Sequence, residues 1–161
     1  MILGNPYKFA IFLQMIKEWN IDKTFCNGVL LFSVNGIIFP NQILTASLNC
    51  EISLLKENLN NIAVDVDIFN MEKEKAYRHI YNRTFPDDIN LDNDYQFDIT
   101  PLSFLEDSCY IFAVSNGIQV RVLAAKLEYN KKESRHKIKN IYEAFISVEE
   151  VKEIAKNLNV D

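Results

Sequence analysis

The chain has 161 residues, of which 48% are hydrophobic and 24% charged, and its formal net charge at pH 7 is −5. This length suits one domain with its own core, and the composition is ordinary for a soluble globular fold. No apolar run reaches the roughly 20 residues that a membrane-spanning helix needs, and no secretory cleavage pattern follows the apolar N-terminal stretch. We therefore predict a single domain over residues 1–161, in the cytoplasm and not in a membrane.

The first fifty residues have the pattern of a β-meander. The apolar stretch at 9–16 predicts a buried strand, and residues 28–34 predict a second one. The Asn-Gly pair at 35–36 favours a two-residue hairpin turn because both residues tolerate positive φ. A short strand at 37–39 is expected to return antiparallel to the second. Alternating apolar residues then predict another strand over 43–52.

Helical spacing replaces the alternation in the middle of the chain. Leucines at helical intervals predict a helix over 53–60, with Ser53 as its N-cap. A second helix is predicted over 71–83. It should end before Pro86, since the residue preceding a proline disfavours helical angles. An exposed acidic loop is expected over 87–94.

The last third of the chain returns to β-structure, with strands predicted over 95–99, 109–115, 118–129 and 141–146. An Asn-Gly pair at 116–117 predicts a hairpin turn, and residues 130–137 a charged loop. Ser147 and Glu150 have the spacing of a capping box, which predicts the start of a terminal helix. The expected fold class is α+β, with antiparallel β-meander sheets and two or three helices packed on one face.

No set of residues in the sequence has the spacing of a known catalytic or cofactor-binding motif. The histidines, His79 and His136, would form an acid–base pair for RNA cleavage only if the fold brought them together. Asp65 and Asp67 are spaced like ordinary surface carboxylates. We therefore predict that the protein is not an enzyme and that it holds neither a metal nor a cofactor.

The cysteines are Cys26, Cys50 and Cys109, an odd number at wide intervals. This spacing supports neither a disulfide framework nor a zinc site. Each cysteine has apolar neighbours in sequence, where a free thiol behaves as a small hydrophobic group. We predict three buried, reduced thiols, as is usual in a reducing cytoplasm.

Charge is distributed unevenly, because no Lys or Arg occurs between Arg83 and Arg121. The acidic residues of this window are Asp87, Asp88, Asp92, Asp94, Asp98, Glu106 and Asp107. The window therefore carries −7, against −5 for the whole chain. Such a surface opposes nucleic-acid binding. It either attracts a basic protein or only aids solubility, and the interleaved Tyr95, Phe97 and Phe104 favour a binding role. The predicted binding residues are Asp87, Asp88, Asp92, Asp94, Tyr95, Glu106 and Asp107.

The N-terminal sequence Gly4-Asn5-Pro6-Tyr7-Lys8-Phe9-Ala10-Ile11, followed by Glu18-Trp19-Asn20 and Asn27-Gly28, resembles the immunity protein 42 family of bacterial polymorphic-toxin systems. Gly4, Asn5 and Trp19 match the family pattern of an N-terminal Gly-Asn and a tryptophan, and we expect them to have structural roles. The resemblance extends over most of the chain, since the family domain is of similar size.

The resemblance implies a protein that neutralises a secreted toxin inside sibling cells, including in contact-dependent growth inhibition systems. The implied partner is the C-terminal domain of the toxin. Many such toxins are nucleases, which are basic because they hold phosphate backbones. The family has no catalytic residues to transfer. Two alternatives remain open: a small RNA-processing or nuclease-like enzyme that uses His79 and His136, and a scaffold or ligand-binding module unconnected with toxins.

Overall fold

The computed structural model describes residues 1–20, 26–131 and 135–159, apart from the side chains at 130, 135 and 136. Two short 3₁₀ helices span Lys17–Trp19 and Leu102–Asp107. The strands are β1 (Ile2–Gly4), β2 (Phe9–Met15), β3 (Asn27–Val34), β4 (Ile37–Phe39), β5 (Ala46–Ser47), β6 (Cys109–Ser115), β7 (Gln119–Asn130) and β8 (Arg135–Ser147). The α-helices are α1 (Leu48–Asn60), α2 (Val66–Asn70), α3 (Lys73–Thr84) and α4 (Val148–Asn157).

The N-terminal sheet is antiparallel, in the order β1-β2-β3-β4, and β5 also pairs with β3. Asn35 and Gly36 form the turn between β3 and β4 with φ angles of 53° and 81°. These angles suit a two-residue hairpin, and the turn predicted from the Asn-Gly pair is confirmed. At Gly28 a Cβ atom would lie 2.2 Å from the carbonyl oxygen of Gln14, so only glycine fits this point of β3.

The C-terminal sheet is an antiparallel meander, β6-β7-β8. The strands predicted at 109–115 and 118–129 are confirmed to within one residue. The last strand is longer than the predicted 141–146, because it starts at Arg135 and pairs with the far end of β7. Residues 135–137 are therefore strand and not loop, and residues 132–134 of the predicted loop lie outside the described part.

The hydrophobic core has two parts, one on each face of the C-terminal sheet. Ile111 and Ala113 of β6 join a cluster shared with the N-terminal sheet, α1 and α4. Phe112 and Val114, which alternate with them, join a cluster with α2 and α3. The α+β class with antiparallel sheets is confirmed. The helices nevertheless lie on both faces of this sheet, and not on one face as expected.

The strand predicted over 43–52 is wrong, because β5 contains only Ala46–Ser47 and α1 begins at Leu48. Ser53 lies inside this helix and does not cap it. The buried side chains of α1 repeat at helical intervals: Leu48, Glu51, Ile52, Leu55 and Leu59. The apolar residues at 44–50 fit both the two-residue period of a strand and the helical period of α1. A pattern this short does not distinguish a strand from a helix.

The other helices differ less from expectation. The helix predicted over 71–83 is confirmed as α3, and the terminal helix as α4, with both hydrogen bonds of the Ser147–Glu150 capping box. The short helix α2 was not predicted; the Asp65 carboxylate caps it by accepting a hydrogen bond from the Ile68 amide at 2.9 Å. No α-helix in the described residues has both the length and the apolar character needed to cross a membrane.

Candidate protein-binding surface

The cation-free window is the stretch 84–120, which contains no Lys or Arg. It continues from the end of α3 as a loop, which then packs beside β6 of the C-terminal sheet. Residues 95–99 do not form the predicted strand, since only Asp98 makes a bridge, with Phe112. Two further hydrogen bonds hold the segment to β6, from the Ile99 amide to the Ile111 carbonyl (3.0 Å) and from the Ala113 amide to the Phe97 carbonyl (2.9 Å). The segment 97–99 is thus attached to the sheet, and the residues before it, 87–96, are mostly exposed.

Four of the predicted acidic residues are exposed: Asp87, Asp88, Asp92 and Glu106. Asp88 Oδ1 accepts hydrogen bonds from the Asn90 amide (2.9 Å) and side chain (2.8 Å). These bonds lower the pKa of Asp88, because they stabilise its ionised form. The loop therefore presents a fixed negative charge to solvent.

Asp94 and Asp107 have intramolecular cation partners. Asp94 Oδ2 is 2.6 Å from Nη2 of Arg83. Partial burial raises the pKa of Asp94, but hydrogen bonds from Gln96 and Arg83 outweigh it, and the pKa lies below its usual value. Asp107 is buried, pairs with Lys126, and accepts a hydrogen bond from Gln42 at 2.8 Å. Asp94 thus links the loop to α3, and Asp107 links the second 3₁₀ helix to β7. The charges of both carboxylates are largely neutralised by Arg83 and Lys126.

A groove of about 480 Å³ runs between α1 and the segment 95–105. Its walls carry apolar side chains that remain partly exposed: Leu54 (48%), Tyr95 (57%), Leu102 (57%) and Leu105 (43%). The Tyr95 ring contacts Phe85 edge-on, with 6.2 Å between the ring centres. The predicted residue Tyr95 therefore lies on the groove, directly after the acidic loop.

Two carboxyl groups also line the groove, those of Glu51 and Asp98. Glu51 is 5% exposed, and its Oε2 accepts hydrogen bonds from the Ser103 hydroxyl (2.8 Å) and amide (3.4 Å). Burial raises the pKa of Asp98 despite hydrogen bonds from Thr100. Glu51 was missed from the sequence because 43–52 was interpreted as a strand. Its helical spacing from Leu48 and Leu55 is the signal that would have placed it beside a buried face.

The N-terminal motif forms the turn between β1 and β2. Gly4 has φ = +92°, and a Cβ there would lie 2.4 Å from the Phe9 carbonyl oxygen. Asn5 accepts a hydrogen bond from the Tyr7 amide through its side chain and another from the Lys8 amide through its carbonyl, both at 2.9 Å. Gly4 and Asn5 thus shape this turn. Trp19 lies in the first 3₁₀ helix and is 39% exposed.

The model of the family described as Immunity protein 42 matches residues 1–160. The chain belongs to this family. The crystal structure of CdiI from Burkholderia dolosa is similar to this immunity protein, with a TM-score of 0.79 and 25% sequence identity. The similarity covers 98% of this chain and 97% of that one. Comparison with curated proteins gave no match.

Family membership implies an inhibitor and not an enzyme. His79 is exposed on α3 of this immunity protein. His136 belongs to β8, but its side chain lies outside the described part, so the structure does not show the two imidazoles together. Within the described residues there is no group of three or more His, Cys, Asp and Glu side chains that could hold a metal ion.

The cysteines are free thiols in two different environments. Cys26 and Cys109 are buried as predicted, and burial raises the pKa of Cys109 to about 12. Cys50 is exposed in the first turn of α1, so the prediction of a buried thiol is wrong for this residue. The helix that replaced the predicted strand turns Cys50 outwards while burying its neighbour Glu51.

Proposed function

We propose that this immunity protein binds the toxin domain encoded beside it and neutralises that toxin in the cytoplasm, as part of a contact-dependent growth inhibition system. The family match over 1–160 and the likeness to CdiI over nearly the full length of both chains support this role. The toxin we propose is basic and most simply a nuclease, because a phosphate-binding groove requires clustered Lys and Arg.

The observation that carries the proposed interface is the cation-free acidic surface beside an exposed apolar groove. Among the described residues, five acids of the window form no ion pair: Asp87, Asp88, Asp92, Asp98 and Glu106. Four of these acids, all but Asp98, are exposed, so their negative potential is available to a partner. Surfaces of this kind raise association rates about 10-fold or more, and the effect falls with ionic strength.

The experiment compares two variants with equal changes in net charge. One reverses Asp87, Asp88 and Asp92 to Lys in the proposed interface. The control reverses Glu18, Glu57 and Glu153, which are also exposed but lie outside the window. We expect the first variant to associate with the toxin domain at least about 10-fold more slowly at low salt, and to lose most of the salt dependence of its association rate.

Stopped-flow or surface-based kinetics would measure both rates, and co-expression with the toxin would measure protection of the cell. Equal association rates for the two variants would refute the proposed interface and leave the immunity role intact. Failure of the wild-type chain to bind the toxin or to protect cells would refute the immunity role itself. Assays of the toxin on RNA and DNA, with and without an equimolar amount of this protein, test whether it is a nuclease.

A further inference from the structure

The groove between α1 and the segment 95–105 has walls suited to the stem of a long side chain. Leu54 faces it from α1, and Leu102 and Leu105 from the second 3₁₀ helix. These three residues are between 43% and 57% exposed, so the fold leaves them without a full covering. A volume of about 480 Å³ lies within the range of sites that enclose a ligand group.

Within the described part of the chain, the carboxyl groups of the groove have no cationic partner. No described Lys or Arg forms an ion pair with Glu51 or Asp98. Both hydrogen bonds to Glu51 reach Oε2, and no described residue donates one to Oε1. Asp107, the other buried acid among the described residues, is paired with Lys126, and the groove carboxyls differ from it in having no such partner.

We propose that this groove receives a cationic side chain, Arg or Lys, from the toxin. Its aliphatic stem packs against the leucines, and its charged end pairs with Glu51 and Asp98. Arg and Lys combine these two properties, since each carries a charge at the end of an apolar stem. The inference rests on the proposed function and adds to it an anchor point, distinct from the exposed acids that guide the approach of the toxin.

The two roles predict different kinetics. Exposed acids such as Asp87 and Asp92 act mainly on the association rate, because solvent screens them in the complex. Glu51 and Asp98 become enclosed with their partner, so their loss should act mainly on the dissociation rate.

The test uses the full chain and the toxin domain encoded beside it. Glu51→Gln combined with Asp98→Asn removes the two charges, and the new amide oxygens still accept the hydrogen bonds from Ser103 and Thr100. The matched control is Glu57→Gln with Glu153→Gln, two exposed acids outside the groove. We expect the groove variant to raise Kd roughly 30-fold or more, mainly through faster dissociation, and the control to change it less than about threefold.

A second variant, Leu102→Trp, fills the groove from an exposed position and leaves both groove carboxyls unchanged. We expect it to weaken binding at least about 10-fold with an unchanged melting temperature. This variant decides the matter if the double variant is itself unstable. Substituting the Arg and Lys residues of the toxin one at a time, against wild type and the groove variant, identifies the occupant. Substituting the toxin residue that occupies the groove should weaken binding to the wild type. The same substitution should have little effect on binding to the variant that lacks both carboxylates.

If wild type binds and protects cells, but both groove variants bind within about twofold of the control, the groove inference is overturned and the proposed function stands. If wild type neither binds nor protects, the proposed function fails first. If the groove variants weaken binding but no basic toxin residue shows coupling to Glu51 and Asp98, the occupant is not cationic and the inference is wrong.

Discussion

Arg121 is a buried cation whose substitution should strongly lower the free energy of unfolding. It lies in β7 and is 4% exposed. Its Nη1 donates hydrogen bonds to the carbonyl oxygens of Phe69 (2.9 Å) and Met71 (2.6 Å), at the end of α2. Its Nη2 is 2.6 Å from the Glu143 carboxylate on β8. One side chain thus joins two neighbouring strands to the α2–α3 layer.

Replacing Arg121 by Met keeps most of the volume and leaves three acceptors without their donor. Breaking a buried ion pair costs about 3–5 kcal/mol. Glu143 is 29% exposed and regains water in the variant, so we expect the lower end, about 3 kcal/mol. For a chain of this size this corresponds to a melting temperature lower by about 6–12 °C.

Urea denaturation followed by circular dichroism would measure the free energy of unfolding. The control is Lys139→Met, which removes an ion pair with Glu128 whose partners are 63% and 53% exposed. Its cost should stay below about 1 kcal/mol. A loss below about 1 kcal/mol for Arg121→Met, or equal losses for the two variants, would refute the reasoning. The slope of the unfolding free energy against urea concentration should equal that of the wild type if both expose the same surface area on unfolding.

Two further predictions concern the thiols and the last helix. In the native protein Cys50 should react rapidly with a thiol reagent, while Cys26 and Cys109 should react only after denaturation, since both are buried. Rapid reaction of more than one thiol per native chain would contradict this. Ser147→Ala should lower the free energy of unfolding by about 1 kcal/mol, because the Glu150 amide loses its capping acceptor. A Ser147→Asp variant, which restores an acceptor, should recover most of that loss. Equal melting temperatures for wild type and both variants would show that the cap does not stabilise the fold.

Short-range signals determined much of the fold. The turn at Asn35-Gly36 and the capping box at Ser147 and Glu150 formed as predicted, because each depends on the backbone preferences and hydrogen bonds of a few adjacent residues. The two long strands at 109–115 and 118–129 were predictable for a similar reason. Their apolar residues continue over enough positions to define a strand.

The tertiary structure decided which charged residues are exposed. In sequence Arg121 alternates with the valines at 120 and 122, which suggests a solvent-facing position. The α2–α3 layer covers that face of the C-terminal sheet and buries it. Asp107 was predicted to lie on the binding surface, yet its side chain is buried and pairs with Lys126, 19 residues away.

The acidic window itself, and the binding role it suggests, came from the sequence alone, because the absence of Lys and Arg over 84–120 needs no structure to be seen. Its division into exposed charges, paired charges and a groove came from contacts between distant segments. Glu51 and Asp98 are 47 positions apart and line the same groove only because α1 lies beside the segment 95–105. No local pattern encodes that approach, since it depends on how α1 and the two sheets share one core.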